Sequence, residues 1–283
     1  MKALKIILSS LLVLLLVGLA AVYFFVRSLF QEPSAVEVAS LNDSLKSKRI
    51  LGVFAHPDDE QLVNSVFVRA KKSDPSSFTA LVTATKGEAG HQVPVVARQK
   101  DLGFIRKAEA LKNGYAMGID EQEVWDYPDG GVPEVSLEEL KAKVKQAMET
   151  YRPEILLTFW PESGATGHKD HRRMGLAASE VAKEFKSLIQ NKGTYHGPRY
   201  IAYVITPRNA FRTLGGEIGK FVAENQPAPT HSLRSETESK LKGWEIHASQ
   251  GDYVREAYGI PARVLYMIWD KEYYYITDLD SGK

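Results

Sequence analysis

The chain of 283 residues contains no cysteine. Disulfides and thiolate metal sites are therefore excluded, and any bound metal must be held by imidazole and carboxylate. A charge excess is also missing. Lys plus Arg number 36 against 35 Asp plus Glu, a formal net charge of +1. That balance leaves no electrostatic footprint of a nucleic-acid or strongly acidic partner. Internal repeats and low-complexity tracts are absent from the sequence. So is a glycine-rich phosphate loop after the first apolar strand. Carboxylates stand there instead and would repel a pyrophosphate, which argues against a nucleotide-binding domain.

One long hydrophobic run is present. After Lys2 and Lys5, residues 6–26 (IILSSLLVLLLVGLAAVYFFV) carry no charged side chain. At ~1.5 Å per residue this run covers roughly 30 Å, enough to cross a bilayer core as a helix. The rival reading is a cleaved signal peptide with Gly18 and Ala20 before the cut. Against it, the apolar run continues beyond Ala20, further than a typical signal core. Residues 1–30 are thus read as a single N-terminal membrane anchor, and the protein would be secreted if the segment were cleaved. Two lysines precede the span, and only Arg27 follows closely before Lys46. The positive-inside rule then places the rest of the chain on the extracytoplasmic side. Residues 31–48, polar with Pro33 and several serines, read as a linker, and residues 49–283 as one domain.

From Arg49 the pattern alternates between apolar runs and helical stretches. RILGVFA, FTALVTAT, EILLTFW and RYIAYVIT read as buried strands, and EVWDYPDGG as a strand running into a turn. Between them, residues 59–72, 101–113, 136–151 and 170–188 read as helices. Gly114 is the expected stop of the second, and Ser136 the N-cap of the third, with Glu139 in the capping-box position. This alternation predicts an α/β fold: a Rossmann-like open, mostly parallel sheet with helices on both faces, plus the N-terminal hydrophobic helix. In the tail, residues 236–250 read as a helix, with VLYMIWD and EYYYITD as a closing β pair.

Two polar constellations follow strands, where ligands of open α/β sheets gather. AHPDDE (His56, Asp58, Asp59, Glu60) follows RILGVF, and GHKDH (His168, Asp170, His171) follows EILLTFW. Three of the seven histidines thus fall in two post-strand loops beside four acids. Imidazole and carboxylate without thiolate suit a catalytic zinc that keeps one position for water. A divalent cation also offsets the repulsion among the carboxylates. Taken alone, either segment fits helix capping equally well, and spacing does not say which aspartate binds metal. His56 and Asp59 are three residues apart, so one tight turn can aim both at a common point.

The two motifs, with TKGEAG after the second strand and YPDGG after the third, resemble the PIG-L/LmbE family of zinc-dependent de-N-acetylases. The likeness extends to residues 106–119 and to KLKGWEIHASQ, where the family tends to show a lysine seven residues before His-x-Ser-Gln. It implies that residues 49–283 form a catalytic domain acting on N-acetylglucosamine-type substrates. Carried over by position, His56, Asp59 and His171 become zinc ligands and Asp58 the general base. His168 becomes an electrostatic stabiliser or proton donor beside the scissile amide, and Asp170 orients a neighbouring histidine. The implied cofactor is Zn2+, and another divalent metal such as Fe2+ suits the same donors. Lys169 stands where family members usually have proline, and the loop between Gly87 and Arg106 is longer than expected.

Glu88, Asp129 and His247 are expected to contact substrate, although turn chemistry or helix-end bonding would explain each of them equally. Arg106 and Glu109, three apart on a helix, are expected to pair with each other. His91, His196 and His231 are expected to face solvent. The expected partner is an amino-sugar conjugate, carried on a lipid or polymer near the membrane. A different N-acyl conjugate, or a metal-stabilised carbohydrate-binding protein without turnover, are the alternatives. Binding alone needs no base, so Asp58 argues against the last.

Overall fold

The computed structural model describes residues 2–187 and 195–281. In chain order they form α1 (Lys2–Leu29), β1 (Val36–Glu37), α2 (Leu41–Leu45), β2 (Arg49–Phe54), α3 (Asn64–Ser73), β3 (Phe78–Thr85), α4 (Leu102–Met117), β4 (Glu121–Tyr127), α5 (Leu137–Tyr151), β5 (Ile155–Phe159), α6 (Lys169–Ser187), β6 (Tyr200–Ile205), α7 (Arg208–Leu214), α8 (Gly216–Glu224), β7 (His231–Arg234), α9 (Thr237–Ile246), α10 (Tyr253–Tyr258), α11 (Ala262–Ile268) and β8 (Lys271–Asp278). The strands make one sheet in the order β1-β7-β8-β6-β5-β2-β3-β4. Strands β4, β3, β2, β5 and β6 run parallel, and β8 lies antiparallel between β6 and β7. The sheet is thus mostly parallel, as the alternating pattern predicts.

Strands β2 and β5 explain why the apolar runs fold this way. Nearly every residue of both is buried, which suits a central parallel strand covered on both faces. The Phe54 and Phe159 rings meet edge to face with centroids 5.0 Å apart. A Cβ on Gly52 would lie 3.0 Å from both the Phe54 and Phe67 rings, so this packing needs glycine. Helices α5 and α6 pack on each other, and α3, α4 and α9 form a second group. From β2 the chain winds one way to β3 and β4, then crosses to β5 and β6. Right-handed crossovers put the helices of the two arms on opposite faces. The carboxyl ends of β2 and β5 therefore flank the point where the winding reverses.

Several expectations need correction. The VLYMI of VLYMIWD belongs to helix α11, entered after Pro261; β8 pairs instead with β6 and β7. A short apolar run does not reveal its period, and the proline at the N-cap is the signal that favours helix. Gly114 lies inside α4, which stops at the left-handed Gly118. Ser136 sits at the N-cap of α5, but its hydroxyl makes no capping bond. Residues 59–72 divide into a 3-10 turn, Asp59–Leu62, and α3. Residues 236–250 divide at His247 into α9 and a 3-10 turn, Ala248–Gln250. Leu188, the expected end of α6, lies outside the described residues. Residues 31–48, expected as a linker, carry β1 and α2 and bury Ser40, Leu41 and Asn42.

Within helix α1 the 26-residue stretch Leu4–Leu29 is long and apolar enough to cross a membrane, and none of its apolar window is buried. Its base is fixed to the domain. Arg27 pairs with Asp270, the Phe30 ring packs 5.7 Å from Trp269, and Tyr273 donates to the Phe30 carbonyl at 2.9 Å.

Candidate active site

The first post-strand loop turns sharply. Asp58 adopts a left-handed conformation with φ 91, which for a residue with a Cβ is held only by its surroundings. Asp59 Oδ2 accepts the backbone N–H groups of Ala55 at 3.0 Å and His56 at 2.7 Å, so the turn clasps its own carboxylate. In the second loop Gly164 has φ 61, and a Cβ there would lie 3.0 Å from that of His171. A Cβ on Gly175 of α6 would stand 2.5 Å from the Phe159 carbonyl oxygen. Glycine at 175 thus lets α6 lie flush on the end of β5, where His171 stacks on Phe159 at 4.1 Å.

These turns bring three donors together. His56 Nδ1 is 3.0 Å from His171 Nε2. Asp59 Oδ1 is 3.0 Å from His171 Nε2, and its Oδ2 is 3.6 Å from His56 Nδ1. The hydrogen-bond network assigns the tautomers. His171 Nδ1 faces the Gly164 carbonyl at 3.0 Å and so carries the proton, leaving a lone pair on Nε2. His56 Nε2 faces Asp170 at 3.1 Å and Asp129 at 3.2 Å, so its lone pair is on Nδ1. Two imidazole lone pairs and a carboxylate oxygen therefore point at one another. Ligands about 2.1 Å from a tetrahedral ion stand roughly 3.4 Å apart, so the residues fit a small divalent cation. Burial opposes charge on His56, yet Asp129, Asp170 and Asp59 raise its pKa well above the ordinary value. Against burial, His171 and then His56 hold Asp59 far below the usual carboxylate range. The cluster requires a positive charge, which a metal supplies as well as a proton does.

His168 stands on the rim, exposed, its ring 4.7 Å from that of His56. Its ligand atom also lies within 4.8 Å of those of His56 and His171, and His56, Asp129 and Asp170 make a second group by the same measure. Burial, then His171 and His56, lower the His168 pKa, so the ring is neutral near pH 7. Its Nδ1 accepts the Asp170 N–H at 3.3 Å, which leaves a proton on Nε2. Asp170 Oδ2 also accepts the Gly130 N–H at 2.8 Å, tying the YPDGG turn to the centre.

Asp58 sits beside this cluster. Burial pushes its pKa up to about 6, against Arg106. Arg106 Nη2 donates to Asp58 Oδ2 at 2.8 Å and to the Pro57 carbonyl at 2.7 Å, and Nη1 donates to Gly87 at 2.8 Å. Arg106 and Glu109 are therefore not partners: Glu109 accepts the Ser249 N–H at 2.9 Å and hydroxyl at 2.6 Å. Sequence spacing suggested an i,i+3 pair because it contains no information on the loops that cover the helix. His247, expected at the substrate, is fully buried and hydrogen-bonded to Glu60. Glu60 also accepts from Asn113 at 2.7 Å and from the Asp58 N–H at 2.9 Å. Glu88 accepts the Asp129 N–H at 2.9 Å and shapes that turn; Asp129 itself reaches the cavity. His91 and His196 are exposed, while His231 is half-buried.

The centre opens into a cavity of about 480 Å³, within the range of small-ligand sites. His56, Asp58, Asp59, His168 and His171 line one side, and Trp244, Tyr253, Tyr266 and Trp269 stand elsewhere on its wall.

Fold and centre together define an open α/β protein with a histidine–carboxylate centre at its topological switch point. Residues 51–182 match the model of the PIG-L family, described as GlcNAc-PI de-N-acetylase. It is 27% identical over 172 residues to a 1D-myo-inositol 2-acetamido-2-deoxy-alpha-D-glucopyranoside deacetylase of Kineococcus radiotolerans, covering 51% of this chain and 47% of that one. The chain thus spans about half the length of the curated relatives it matches. Among solved structures it is similar to the N,N'-diacetylchitobiose deacetylase of Pyrococcus horikoshii, with TM-score 0.64 and 21% identity over 86% of this chain and 88% of that one. It is also similar to a 4-carboxy-2-hydroxymuconate hydratase of Pseudomonas putida, with TM-score 0.57 and 14% identity over 81% and 95%. The likeness of fold therefore does not choose the reaction; the site must.

Proposed function

We propose that the protein is a divalent-metal hydrolase, with zinc as the metal, that removes the acetyl group from an N-acetylglucosamine-type conjugate. The observation that carries this reading is the trio His56, Asp59 and His171, whose lone pairs converge beside the half-buried carboxylate of Asp58. Relatives named as deacetylases support the choice of an amide over other bonds. His56, Asp59 and His171 would hold the cation, which supplies Lewis acidity to the carbonyl and lowers the pKa of water.

The remaining steps belong to the chain. Asp58 Oδ2 is held by Arg106, so Oδ1 is the atom that takes a proton from the attacking water. The same proton then passes to the departing nitrogen as the C–N bond breaks, giving acetate and a free amine. His168, neutral with its proton on Nε2, donates to the carbonyl oxygen as that atom gains charge. Asp170 and Asp129 hold the His56 Nε2–H, fixing the tautomer that leaves Nδ1 available. Asp129 also faces the cavity, where it is suited to a sugar hydroxyl.

Residues 49–283 are the catalytic domain in this reading. Helix α1 is an anchor that keeps it at a membrane on the extracytoplasmic side, or a signal segment whose removal releases it. The test is metal analysis of the purified protein with an amine-release assay on N-acetylglucosamine derivatives, with and without chelator. Chelator-sensitive release of acetate and amine is expected. A metal-loaded protein that cleaves no N-acyl sugar would overturn the reading.

A further inference from the structure

A second polar cluster lines the same cavity, and the mechanism above does not use it. Gln61 belongs to the 3-10 turn that carries Asp59, two residues on, and is 3% exposed. Both polar atoms of its carboxamide are buried with no hydrogen-bond partner among the described residues. Leaving a donor and an acceptor buried and unpaired is costly, and such a group asks for a ligand. The fold makes room for this side chain. A Cβ on Gly243 of α9 would stand 1.8 Å from Gln61 Nε2, so α9 is notched where the amide lies.

Lys240, one turn before Gly243 on α9, and Glu272 on β8 line the cavity as well. They form an ion pair of 2.8 Å with side chains 7% and 2% exposed. Glu272 is further held by the Ser65 hydroxyl at 2.7 Å and by Tyr274 at 2.6 Å. Trp244 and Tyr266 are joined by an indole hydrogen bond of 2.6 Å, and the Lys240 ammonium lies 5.4 Å from the Tyr266 ring. The cluster is thus polar, electrically neutral and backed by aromatic faces.

We infer that Gln61, Lys240 and the Trp244–Tyr266 pair form a subsite for a neutral hydroxylated ring, the group to which the amino sugar is joined. The inference rests on the proposed deacetylation and names its leaving conjugate more closely. The Gln61 amide offers a donor and an acceptor to neighbouring hydroxyls, and Lys240 offers ammonium protons not directed at Glu272. The aromatic faces suit the C–H face of a sugar or cyclitol. Because Glu272 already neutralises Lys240, an anionic group such as a phosphate gains little here and meets a carboxylate.

The test is calorimetric titration of the full chain in detergent micelles, with three probes: N-acetylglucosamine, N,N'-diacetylchitobiose and N-acetylglucosamine 1-phosphate. Wild-type protein is expected to bind the disaccharide about tenfold or more tightly than the monosaccharide, as expected of paired buried hydrogen bonds. The 1-phosphate is expected to gain no such advantage. Gln61→Leu should erase the disaccharide's advantage while leaving monosaccharide binding within about twofold. It should not lower Tm, since it removes an unpaired polar group and keeps the volume. Equal affinity for mono- and disaccharide in the wild type, equal weakening of both in Gln61→Leu, or a preference for the phosphate would each overturn the subsite. Amine release is followed in the same samples. A disaccharide preference that depends on Gln61, without amine release, would sink the hydrolase reading and leave the subsite standing.

Discussion

Replacing Arg106 by methionine separates the chemistry of Asp58 from its mere placement. The guanidinium is 5% exposed and donates three hydrogen bonds of 2.7–2.8 Å, to Asp58 and to two backbone carbonyls. Removing one partner of a buried ion pair costs about 3–5 kcal/mol, so Tm should fall by on the order of 10 °C. The second effect is on acidity. Asp58 acts as a base only when ionised, so activity rises with pH through its pKa. Burial raises that pKa to about 6, and Arg106 is the leading influence that restrains it. An adjacent guanidinium lowers a carboxyl pKa by about one to three pH units. Arg106→Met should therefore move the acid limb of kcat/KM upward by a similar amount, measured at fixed metal loading from pH 4.5 to 9. A lower Tm with an unmoved acid limb would refute the link between Arg106 and the base.

Other expectations follow from the same geometry. Asp58→Asn should retain the metal while losing about 10²–10⁴ in rate, whereas His171→Ala should lose metal and activity together; metal analysis beside the amine assay distinguishes the two. Gly175→Ala pushes a methyl to within 2.5 Å of the Phe159 carbonyl oxygen, so α6 must shift and carry His171 with it. Weaker metal binding in a folded protein is expected, checked by titration with a chromophoric chelator. Against burial, Glu60 holds the His247 pKa above the ordinary imidazole value. That contribution is complete below pH ~6.5 and lost as pH rises through the folded-state pKa. Urea unfolding from pH 6 to 9 should show this decline in the wild type and a flatter profile in His247→Asn; parallel profiles would contradict it.

Much of the fold is legible in the sequence because β2, β3, β5 and β6 are apolar runs too short for helices and separated by amphipathic stretches. The two motifs are legible for a related reason. Carboxylates directly after a buried strand need a counter-charge, and His56 and His171 lie where one can be held. What escaped reading depends on contacts distant in sequence. Arg106 reads as a surface partner of Glu109 until the loop at Gly87 closes over it. His247 reads as a substrate ligand until Glu60, itself held by Asn113, bonds to it. The pairing of Val36 with His231 lies 195 residues away in sequence, beyond any local pattern. Helices α7 and α8 follow β6 without an expected signal, and α11 was hidden by an apolar run of ambiguous period. Gln61 has no motif of its own; only its burial without partners among the described residues marks it.

The central claim is that two imidazoles and one carboxylate, brought together from two loops, hold a single divalent ion. Anomalous scattering from crystals of the metal-loaded protein, recorded at the absorption edge of the bound element, tests it most directly. One peak per chain within bonding distance of His56, Asp59 and His171 is the predicted result. A peak elsewhere, or none at this cluster in fully loaded and active protein, would contradict the account.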